Sequence, residues 1–398
     1  MRILEINTVN FGSTGHIMLQ IADLARAEGH EAVCCFYARR NKPADANTIY
    51  IGNKISHNLH KKFSRYTGYN GRLSIISTLN FLRKVKKFNP DIIHIHNIHD
   101  RFINIPMLFK YIKKNNIKVV WTLHDCWPFT GQCPYFTAVG CEKWKTGCHD
   151  CEQINRYPST RVDRTDKMWE LKKKWFTGVN DMTIVTPSVW LSDLVKESYL
   201  KDYPVKVINN GIDLGVFKPT ESDFRAKNNL EGKFIVLGIA SIWENRKGID
   251  VFIELAKRLD DRFKIVLVGT NDEDDKILPD NIISIHRTSN QKELAEIYSS
   301  ADLFFNPTRE DNYPTVNMES IACGTPVMTF NTGGSPEMLD DKTGIVIEDD
   351  ISSAEQKIMN IYEKRPFNAA DCVNRAKEFE AGDKFAQYLH LFAALDKG

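Results

Sequence analysis

The 398-residue sequence has no run of apolar side chains near the roughly eighteen that a membrane-spanning helix needs. Its first residues, MRILEINTVNFGSTGH, also lack the continuous apolar stretch of a secretory signal peptide. Low-complexity segments and internal repeats are absent as well, which leaves ordinary globular folding. We therefore expect a globular protein located in the cytoplasm.

Acidic side chains are missing between Asp45 and Asp91. That segment contains nine cations: Lys54, Lys61, Lys62, Arg65, Arg72, Arg83, Lys84, Lys86 and Lys87. Aromatic and aliphatic residues lie between them. The segment from residue 46 to 90 is either an ordinary solvated basic face or a surface for anionic lipid headgroups or a phosphate-bearing acceptor. The second interpretation places the protein at the inner face of a membrane; no nucleic-acid partner is expected.

Charge is distributed unevenly along the chain. Residues 1–200 hold 29 Lys and Arg against 17 Asp and Glu, whereas residues 201–398 hold 24 against 34. Such asymmetry favours two domains with different surfaces. We place the boundary near Pro204, with one domain at 1–205 and another at 206–382. A terminal helix at about 383–398 is expected to pack back on the first domain.

Strand-like and helix-like segments alternate through both halves, which is typical of open, mostly parallel sheets covered by helices. In the first half, RILEIN, EAVCCFYA, DIIHIH, KVVWTLH and DMTIVTPS are predicted strands. In the second half, KFIVLGIAS, KIVLVGT, NIISIHR and DLFFNPT repeat the pattern. The fold class predicted is α/β, with two doubly wound Rossmann-like domains.

The stretch EDNYPTVNMESIACGTPV, residues 310–327, follows the last of these strands. A helix is predicted to begin near Thr315, with Pro314 in its first turn. Asp311 then lies at the carboxyl edge of the sheet, and Glu319 lies one turn into the helix. The free N–H groups of Thr315 and Val316 could hold a phosphate. Phosphates on a helix start with an acid on each side suit a nucleotide sugar.

Several motifs together resemble the family-four type of retaining GT-B glycosyltransferases. Asp311-x7-Glu319 is followed by Gly333-Gly334-x-Pro336-Glu337, and INNGIDLGVFKP (208–219), NRKG (245–248) and STGH precede it in the family's order. HNIHDRFIN together with WTLHDCWPFTGQC is similar to the colanic-acid and capsule branch. The resemblance covers nearly the whole chain and implies two domains facing across a cleft. It also implies sugar transfer from a nucleotide-diphosphate donor, with retention, to a glycan or lipid-linked acceptor in surface polysaccharide (capsule or O-antigen) biosynthesis.

The resemblance implies roles by position. Glu319 would bind the ribose hydroxyls, Asp311 the donor sugar near its reacting carbon, and His124 the sugar from the other domain. Lys247 and Arg246 would neutralise the diphosphate, and Gly15 would let the N-terminal loop approach it. The remaining implied donor-binding residues are Glu310, Tyr313, Thr315 and Val316.

Two departures from the family pattern bear on these roles. The first acid is Asp311 rather than Glu, with Glu310 beside it, so the two could share or exchange roles. In the family, the Arg that neutralises the diphosphate together with the Lys usually lies several residues before that Lys, whereas Arg246 is adjacent to Lys247. Because cations and a helix dipole can stabilise the leaving diphosphate, no divalent metal is implied for catalysis. DEDD at 272–275 is interpreted as a solvated loop.

Histidines and cysteines carry further predictions. His94 and His96 alternate along a strand, and we expect them to face opposite ways, one of them as a core residue. Four of the nine cysteines follow the pattern Cys133-x7-Cys141-x6-Cys148-x2-Cys151. This pattern leaves open a structural tetrahedral zinc, although the first spacing is not that of a common zinc knuckle. Other cysteines are expected to be small buried residues: Cys34, Cys35, Cys126, Cys323 and Cys372.

Two other functions stay open beside sugar transfer. A nucleotide-sugar epimerase of the same architecture would leave the basic segment without a purpose. A catalytically silent sugar-nucleotide binding protein is favoured only by Asp311 in place of Glu. The sequence does not identify the sugar, the base or the acceptor.

Overall fold

The computed structural model describes residues 1–37 and 47–397. Three segments predicted above each have one end outside the described residues. These ends are Ala38 of the strand EAVCCFYA, Ala46 of the basic segment 46–90, and Gly398 of the terminal helix. The chain divides into two compact units, the first formed by Met1–Asn209 with the residues from Lys384 onward, the second by Asn210–Asp383. Within the described residues, no helix is both long and apolar enough to span a bilayer.

The first unit contains a seven-stranded parallel sheet in the order β3-β2-β1-β4-β5-β6-β7. Its strands are β1 Arg2–Ile6, β2 Glu31–Phe36, β3 Thr48–Tyr50, β4 Ile92–Ile95, β5 Lys118–Thr122, β6 Met182–Thr186 and β7 Val205–Val207. β1 pairs with both β2 and β4, so the strand order reverses direction between β1 and β4. Ligands of doubly wound folds bind at such a reversal.

Helices connect these strands and cover the sheet. They are α1 Gly12–Ala27, α2 Lys54–Thr67, α3 Ile75–Phe88, α4 Ile105–Asn115, α5 Thr165–Phe176 and α6 Val189–Glu197. The strands β4, β5 and β6 are almost fully buried, as expected for parallel strands covered on both faces, whereas the edge strands β3 and β7 are not. Tyr388 and Phe392 of the terminal helix, Ala381–Lys397, pack against the ring of His94 on this sheet.

The second unit contains a six-stranded parallel sheet in the order β10-β9-β8-β11-β12-β13. Its strands are β8 Phe234–Ile239, β9 Phe263–Val268, β10 Ile282–Ile285, β11 Leu303–Asn306, β12 Val327–Phe330 and β13 Gly344–Ile347. Its helices are α7 Phe224–Lys227, α8 Ile249–Arg258, α9 Asp272–Asp275, α10 Gln291–Ser300, α11 Thr315–Ala322, α12 Ile351–Lys364 and α13 Ala369–Ala376. The terminal helix described above with the first sheet is numbered α14. β8 lies between β9 and β11. The predicted α/β class with two doubly wound Rossmann-like domains is confirmed.

Two local predictions need correction or refinement. DEDD forms the one-turn helix α9, because Asn271 and Asp274 complete a reciprocal capping box that satisfies the first N–H groups. Its acids are exposed apart from Asp274. The helix predicted near Thr315 does begin there, with Pro314 as its N-cap rather than inside its first turn.

Candidate functional site

The second unit brings Lys247 and Asp311 together. Lys247 ends the short 3₁₀ helix Asn245–Lys247 that follows β8, and Asp311 lies in the loop that follows β11. Because β8 and β11 are neighbours at the reversal of strand order, their carboxyl-end loops meet. Lys247 Nζ lies 2.5 Å from Asp311 Oδ2, and each side chain is about one-fifth exposed. A partly exposed ion pair therefore stands where ligands of such sheets bind.

Glu310 and Asp311 occupy different environments. Glu310 is only 2% exposed, and its backbone carbonyl accepts a hydrogen bond from Arg246 Nη1 at 3.1 Å. The Asp311 carboxylate accepts from the backbone N–H of Asn312 at 2.9 Å as well as from Lys247. Asp311 is thus the more accessible of the two acids, and Glu310 contributes its backbone to the shape of the loop.

Arg246 is held in place by this loop. Its Nε donates to Glu244 Oε1 at 3.0 Å, while Nη1 bonds the Glu310 carbonyl. Sequence reasoning missed Arg309, whose guanidinium bonds Asp250 at 2.8 Å and Asp349 at 2.6 Å. Asp250 lies on α8, and Asp349 lies just before α12. Arg309 therefore connects these two helices to the loop that follows β11 and carries Glu310 and Asp311, which we call the acid loop. The Arg309 side chain is partly buried, and its role is to support the loop structurally.

Glu319 lies on the first turns of α11 and is partly buried. Its Oε2 accepts a hydrogen bond at 3.1 Å from the hydroxyl of Tyr298, a fully buried residue of α10. Burial raises the pKa of Glu319 to about 7, against the effect of hydrogen bonds from Tyr298 and Thr315. Sequence reasoning missed Tyr298, because its position on α10 is that of an ordinary core residue.

Pro314, the N-cap residue of α11, makes no side-chain capping hydrogen bond. Thr315 and Val316 are partly buried, and the use of their N–H groups to hold a phosphate stays a prediction. Tyr313 is 5% exposed, and burial together with nearby Glu337 raises the pKa of its phenol. The structure thus places Tyr313 in the wall of the loop rather than on its surface.

The turn at Gly333 and Gly334, which we call the diglycine turn, contacts the backbone of the acid loop. Gly333 has φ +57°, and a Cβ there would lie 1.8 Å from the carbonyl oxygen of Asp311. The next N–H, of Gly334, donates to the Asn312 carbonyl at 2.8 Å. Only glycine fits this close approach of two backbones, so the turn determines where Asp311 sits.

Gly15 lies in the first turn of α1, which starts at Gly12. A Cβ at Gly15 would lie 2.6 Å from the carbonyl carbon of Asn10. This close contact between helix and loop is enough to explain why the residue at position 15 is glycine. Approach to a phosphate remains a prediction for this position.

A histidine cluster lies at the carboxyl ends of β4 and β5. His94 and His96 point to the same side, because residues two apart on a strand share a face; the prediction of opposite faces was wrong. Both bond the buried carboxylate of Glu5, His94 Nδ1 at 2.8 Å and His96 Nε2 at 2.9 Å from Oε2. His96 Nδ1 lies 3.0 Å from His124 Nε2. Burial lowers the pKa of each of the three imidazoles to about 3.

The four patterned cysteines line one cavity, enclosed by the segment between β5 and α5. Cys133 is buried, and the other three are partly buried. The backbone N–H of Gly131 donates to Cys148 Sγ at 3.1 Å. Within the described residues, no three of these sulfur atoms lie within 4.8 Å of one another. The five remaining cysteines are buried, as predicted.

Small polar groups join helix α2 to the start of helix α3. Ser77 Oγ lies 3.0 Å from Ser56 Oγ, and His60 Nδ1 lies 2.9 Å from Ser74 Oγ. Their outer faces expose six large apolar side chains: Ile55, Leu59, Tyr66, Ile75, Ile76 and Leu79. The nine cations of the segment are all exposed as well. We call these exposed apolar and basic side chains, between Lys54 and Lys87, the basic–apolar surface.

Comparison with known sequences gives two family matches. Residues 14–216 match the family described as Glycosyltransferase Family 4, and residues 233–364 match Glycosyl transferases group 1. The chain is 25% identical over 272 residues to the putative colanic acid biosynthesis glycosyl transferase WcaC of Escherichia coli. This match covers 66% of the present chain and 65% of WcaC. It is 27% identical over 159 residues to the N,N'-diacetylbacillosaminyl-diphospho-undecaprenol alpha-1,3-N-acetylgalactosaminyltransferase of Campylobacter jejuni, covering 37% and 42%. The chain thus spans less than two thirds of the length of both relatives.

Comparison with solved structures gives the same architecture. Anabaena Alr3699/HepE in complex with UDP-glucose superposes with a TM-score of 0.68 over 99% of this chain and 100% of that one, at 12% sequence identity. At this identity the likeness is one of fold. It agrees with the two Rossmann-like units described above.

Proposed function

The chain belongs to glycosyltransferase family 4, and from that premise we propose that it transfers a sugar, with retention, from a nucleotide-diphosphate donor to a glycan or lipid-linked acceptor. The product would belong to a surface polysaccharide. The observation that carries this proposal is the pairing of Lys247 with Asp311 in the loop that leads into α11.

The chemistry of transfer explains the arrangement. Cleavage of the glycosyl–phosphate bond leaves negative charge on the diphosphate and develops positive charge at the sugar carbon. Lys247 and the positive end of α11 would stabilise the diphosphate. Asp311 would lie close to the sugar, where its carboxylate tolerates the developing positive charge. Arg246 would add charge from its position against the Glu310 carbonyl.

The nucleoside would be recognised one turn further along α11. Glu319 can accept hydrogen bonds from two vicinal hydroxyl groups when it is ionised. The hydroxyl of Tyr298 holds one of its oxygens in place at 3.1 Å. We assign the ribose to Glu319, and contact with the donor sugar to His124.

The comparisons support a choice of donor and acceptor class. HepE, of the same fold, is described in complex with UDP-glucose, and the Campylobacter relative acts on a diphospho-undecaprenol. We accordingly propose a uridine-diphosphate sugar as donor and a lipid diphosphate as acceptor.

Turnover assays with and without acceptor test this function. Purified protein would be incubated with UDP-sugars, alone and with short-chain lipid-diphosphate sugars, and the products separated by mass spectrometry and NMR. We expect acceptor-dependent transfer with the anomeric configuration retained. Isomerisation of the donor without acceptor would identify an epimerase. Tight nucleotide-sugar binding without either reaction across the donor panel would identify a binding protein.

The basic–apolar surface gives the acceptor a place of delivery. Its cations attract anionic headgroups, and its exposed aliphatic side chains can enter the headgroup region. Ile55 and Ile76 are about three-quarters exposed, an unusual cost for large apolar side chains in water. We propose that this surface holds the protein at the inner face of an anionic membrane.

The cysteine cavity would hold one structural zinc ion. Four cysteines surround it, and an N–H···S contact already orients Cys148. A tetrahedral zinc brings its four sulfur ligands close together, and among the described residues no three of these sulfurs lie within 4.8 Å of one another. Zinc binding would therefore require the cysteine side chains to move closer together. Its expected effect is on the order of the segment rather than on the chemistry.

A further inference from the structure

A lysine lies fully buried next to the segment that carries the four patterned cysteines. Lys172 belongs to α5, and its side chain has no exposed surface. Its ammonium group donates to the backbone carbonyls of Trp127 and Thr130, the second at 2.7 Å, and lies 3.7 Å from the centre of the Trp127 ring. Among the residues that the structure describes, no carboxylate forms an ion pair with it. A buried cation of this kind is costly unless a negative charge compensates it.

One peptide group connects this lysine to a cysteine of the cavity. The peptide between Thr130 and Gly131 accepts a hydrogen bond from Lys172 through its carbonyl oxygen. Through its N–H the same peptide donates to Cys148 Sγ at 3.1 Å. A cation at the carbonyl end polarises the peptide and strengthens its N–H as a donor. The arrangement therefore favours a sulfur that carries negative charge, as a metal-bound thiolate does.

The packing of α5 holds this connection in place. A Cβ at Gly131 would lie 2.8 Å from Cys148 Cβ and 2.5 Å from the carbonyl oxygen of Thr165, so the peptide lies tightly between them. Thr165 begins α5 and lines the cysteine cavity. Lys172 lies two turns further along the buried face of the same helix. The position of the cation relative to the cavity is thus part of the fold.

Asp125 is the competing explanation for the buried charge. Burial lowers the pKa of Lys172 to about 7, whereas the cysteines near it and Asp125 act to raise this pKa. The carboxylate of Asp125 is already engaged elsewhere, since it lies 3.2 Å from His99 Nε2 and accepts from the backbone N–H of Trp127 at 2.9 Å. Asp125 therefore compensates Lys172 only from a distance.

We infer that Lys172 is a positioning residue of the cysteine cavity, where it supplies the positive counter-charge for a zinc ion bound by thiolates. The inference rests on the proposed zinc site and is independent of sugar transfer. Zinc binds cysteine in its thiolate form, so four thiolates around one Zn²⁺ leave a net double negative charge. Lys172, acting through the polarised peptide at Gly131, offsets part of that charge.

Loss of the lysine charge should therefore affect zinc binding more than folding. Lys172→Met keeps an unbranched side chain of similar length without the charge. It should lower zinc affinity about ten- to a hundredfold, the range typical of residues that support metal ligands. The metal-free variant should melt within about 3 °C of metal-free wild type, because removal of a buried charge offsets the lost hydrogen bonds.

Zinc titration in competition with a chromophoric chelator tests the inference on the full-length protein, stripped of metal and kept reduced. Lys174→Met changes an exposed lysine of the same helix and is the matched control, which should keep wild-type affinity. Lys172→Gln removes the charge but keeps an N–H donor for the two carbonyls. It should lose about as much zinc affinity as Lys172→Met.

Zinc affinity within about twofold of wild type in Lys172→Met or Lys172→Gln would overturn the inference. An equal loss of melting temperature with and without zinc would do the same, as would failure of both variants to fold, because each result assigns the lysine to the fold alone. Failure of the zinc site itself would look different. Wild type would then take up no zinc in the same titration, and the role of Lys172 would fall together with the site.

Discussion

The ammonium group of Lys247 lies 2.5 Å from a carboxylate oxygen of Asp311, although 64 residues separate them in the chain. Each residue stands on the loop after a strand, and the two strands are neighbours in the sheet. The pair is partly exposed, so its net worth to folding is small. The proposed role of this pair toward a donor can therefore be tested by substitution without a large loss of stability.

Loss of the Lys247 charge should slow transfer. We expect Lys247→Ala to lower kcat by about 10²- to 10³-fold, because the charge that it meets on the diphosphate develops in the transition state. Steady-state kinetics with the preferred donor measure this. Lys257→Ala removes an exposed lysine paired with Glu254 in the same unit and should leave kcat unchanged. A rate for Lys247→Ala near that of the control would remove Lys247 from the site.

The two neighbouring acids should separate in the same assay. Asp311→Asn is expected to lower kcat strongly while the protein keeps its melting temperature, since this side chain is accessible. Glu310→Gln alters a buried side chain and should act mainly on stability. The reverse result would give the chemical role to Glu310.

Nucleotide binding should depend on pH through Glu319. The pKa of its carboxyl group, raised to about 7 by burial, leaves a growing protonated fraction as the pH falls below 7. Only the ionised form accepts from both ribose hydroxyls, so affinity should rise as the pH increases from 6 to 8. Glu319→Gln should bind more weakly and lose this part of the dependence. Calorimetric titration of both proteins with one nucleotide separates it from titration of the ligand phosphates. Parallel pH curves for the two proteins would count against the assignment.

The diglycine turn should tolerate no side chain at Gly333. In Gly333→Ala the new Cβ would meet the Asp311 carbonyl at 1.8 Å, so the acid loop must shift. Gly232 also has a positive φ, but a Cβ there would meet nothing within 4 Å. Gly232→Ala therefore measures the cost of the backbone conformation alone, roughly 1–2 kcal/mol. Thermal unfolding of Gly333→Ala should show a clearly larger loss, accompanied by weaker donor binding. Equal losses would show that the loop adapts.

Zinc should be present at about one ion per chain in protein purified without added metal. Elemental analysis of the wild type decides this, and Cys148→Ser with Cys151→Ser should contain far less. Cys372→Ser, which changes a buried cysteine of the second unit, should retain the full content. Removal of the metal is expected to make the segment between β5 and α5 more susceptible to proteolysis. Metal-free wild type with the same protease resistance would rule the site out.

The basic–apolar surface should bind anionic vesicles. Each Lys or Arg near such a surface contributes up to about 1 kcal/mol, less as salt is added. Co-sedimentation should therefore increase with the anionic lipid fraction and decrease with ionic strength. Changing Lys61, Lys62, Lys84, Lys86 and Lys87 to Gln should release the protein. The control changes the same amount of charge elsewhere on the first unit: Lys110, Lys114, Lys167, Lys196 and Lys201. If both proteins sediment alike, the surface is an ordinary solvated face.

The sequence by itself was enough for the fold class, because parallel strands buried on both faces leave continuous apolar runs between helical segments. It also located the acid loop, since Asp311 and Glu319 flank a helix start that follows such a run. Here the signals are local, and a few neighbouring residues carry each of them.

The contacts that organise these residues were decided only by tertiary structure. Nothing local joins Lys247 to Asp311, Tyr298 to Glu319 or Glu5 to His96, because each pair is brought together by strand order and helix packing. The error over His94 and His96 was different, since the two-residue period of a strand already puts them on one face. What the sequence lacked was their common partner: Glu5 lies on the neighbouring strand β1, and pairing of distant segments depends on the free energy of the whole core rather than on any one stretch of chain.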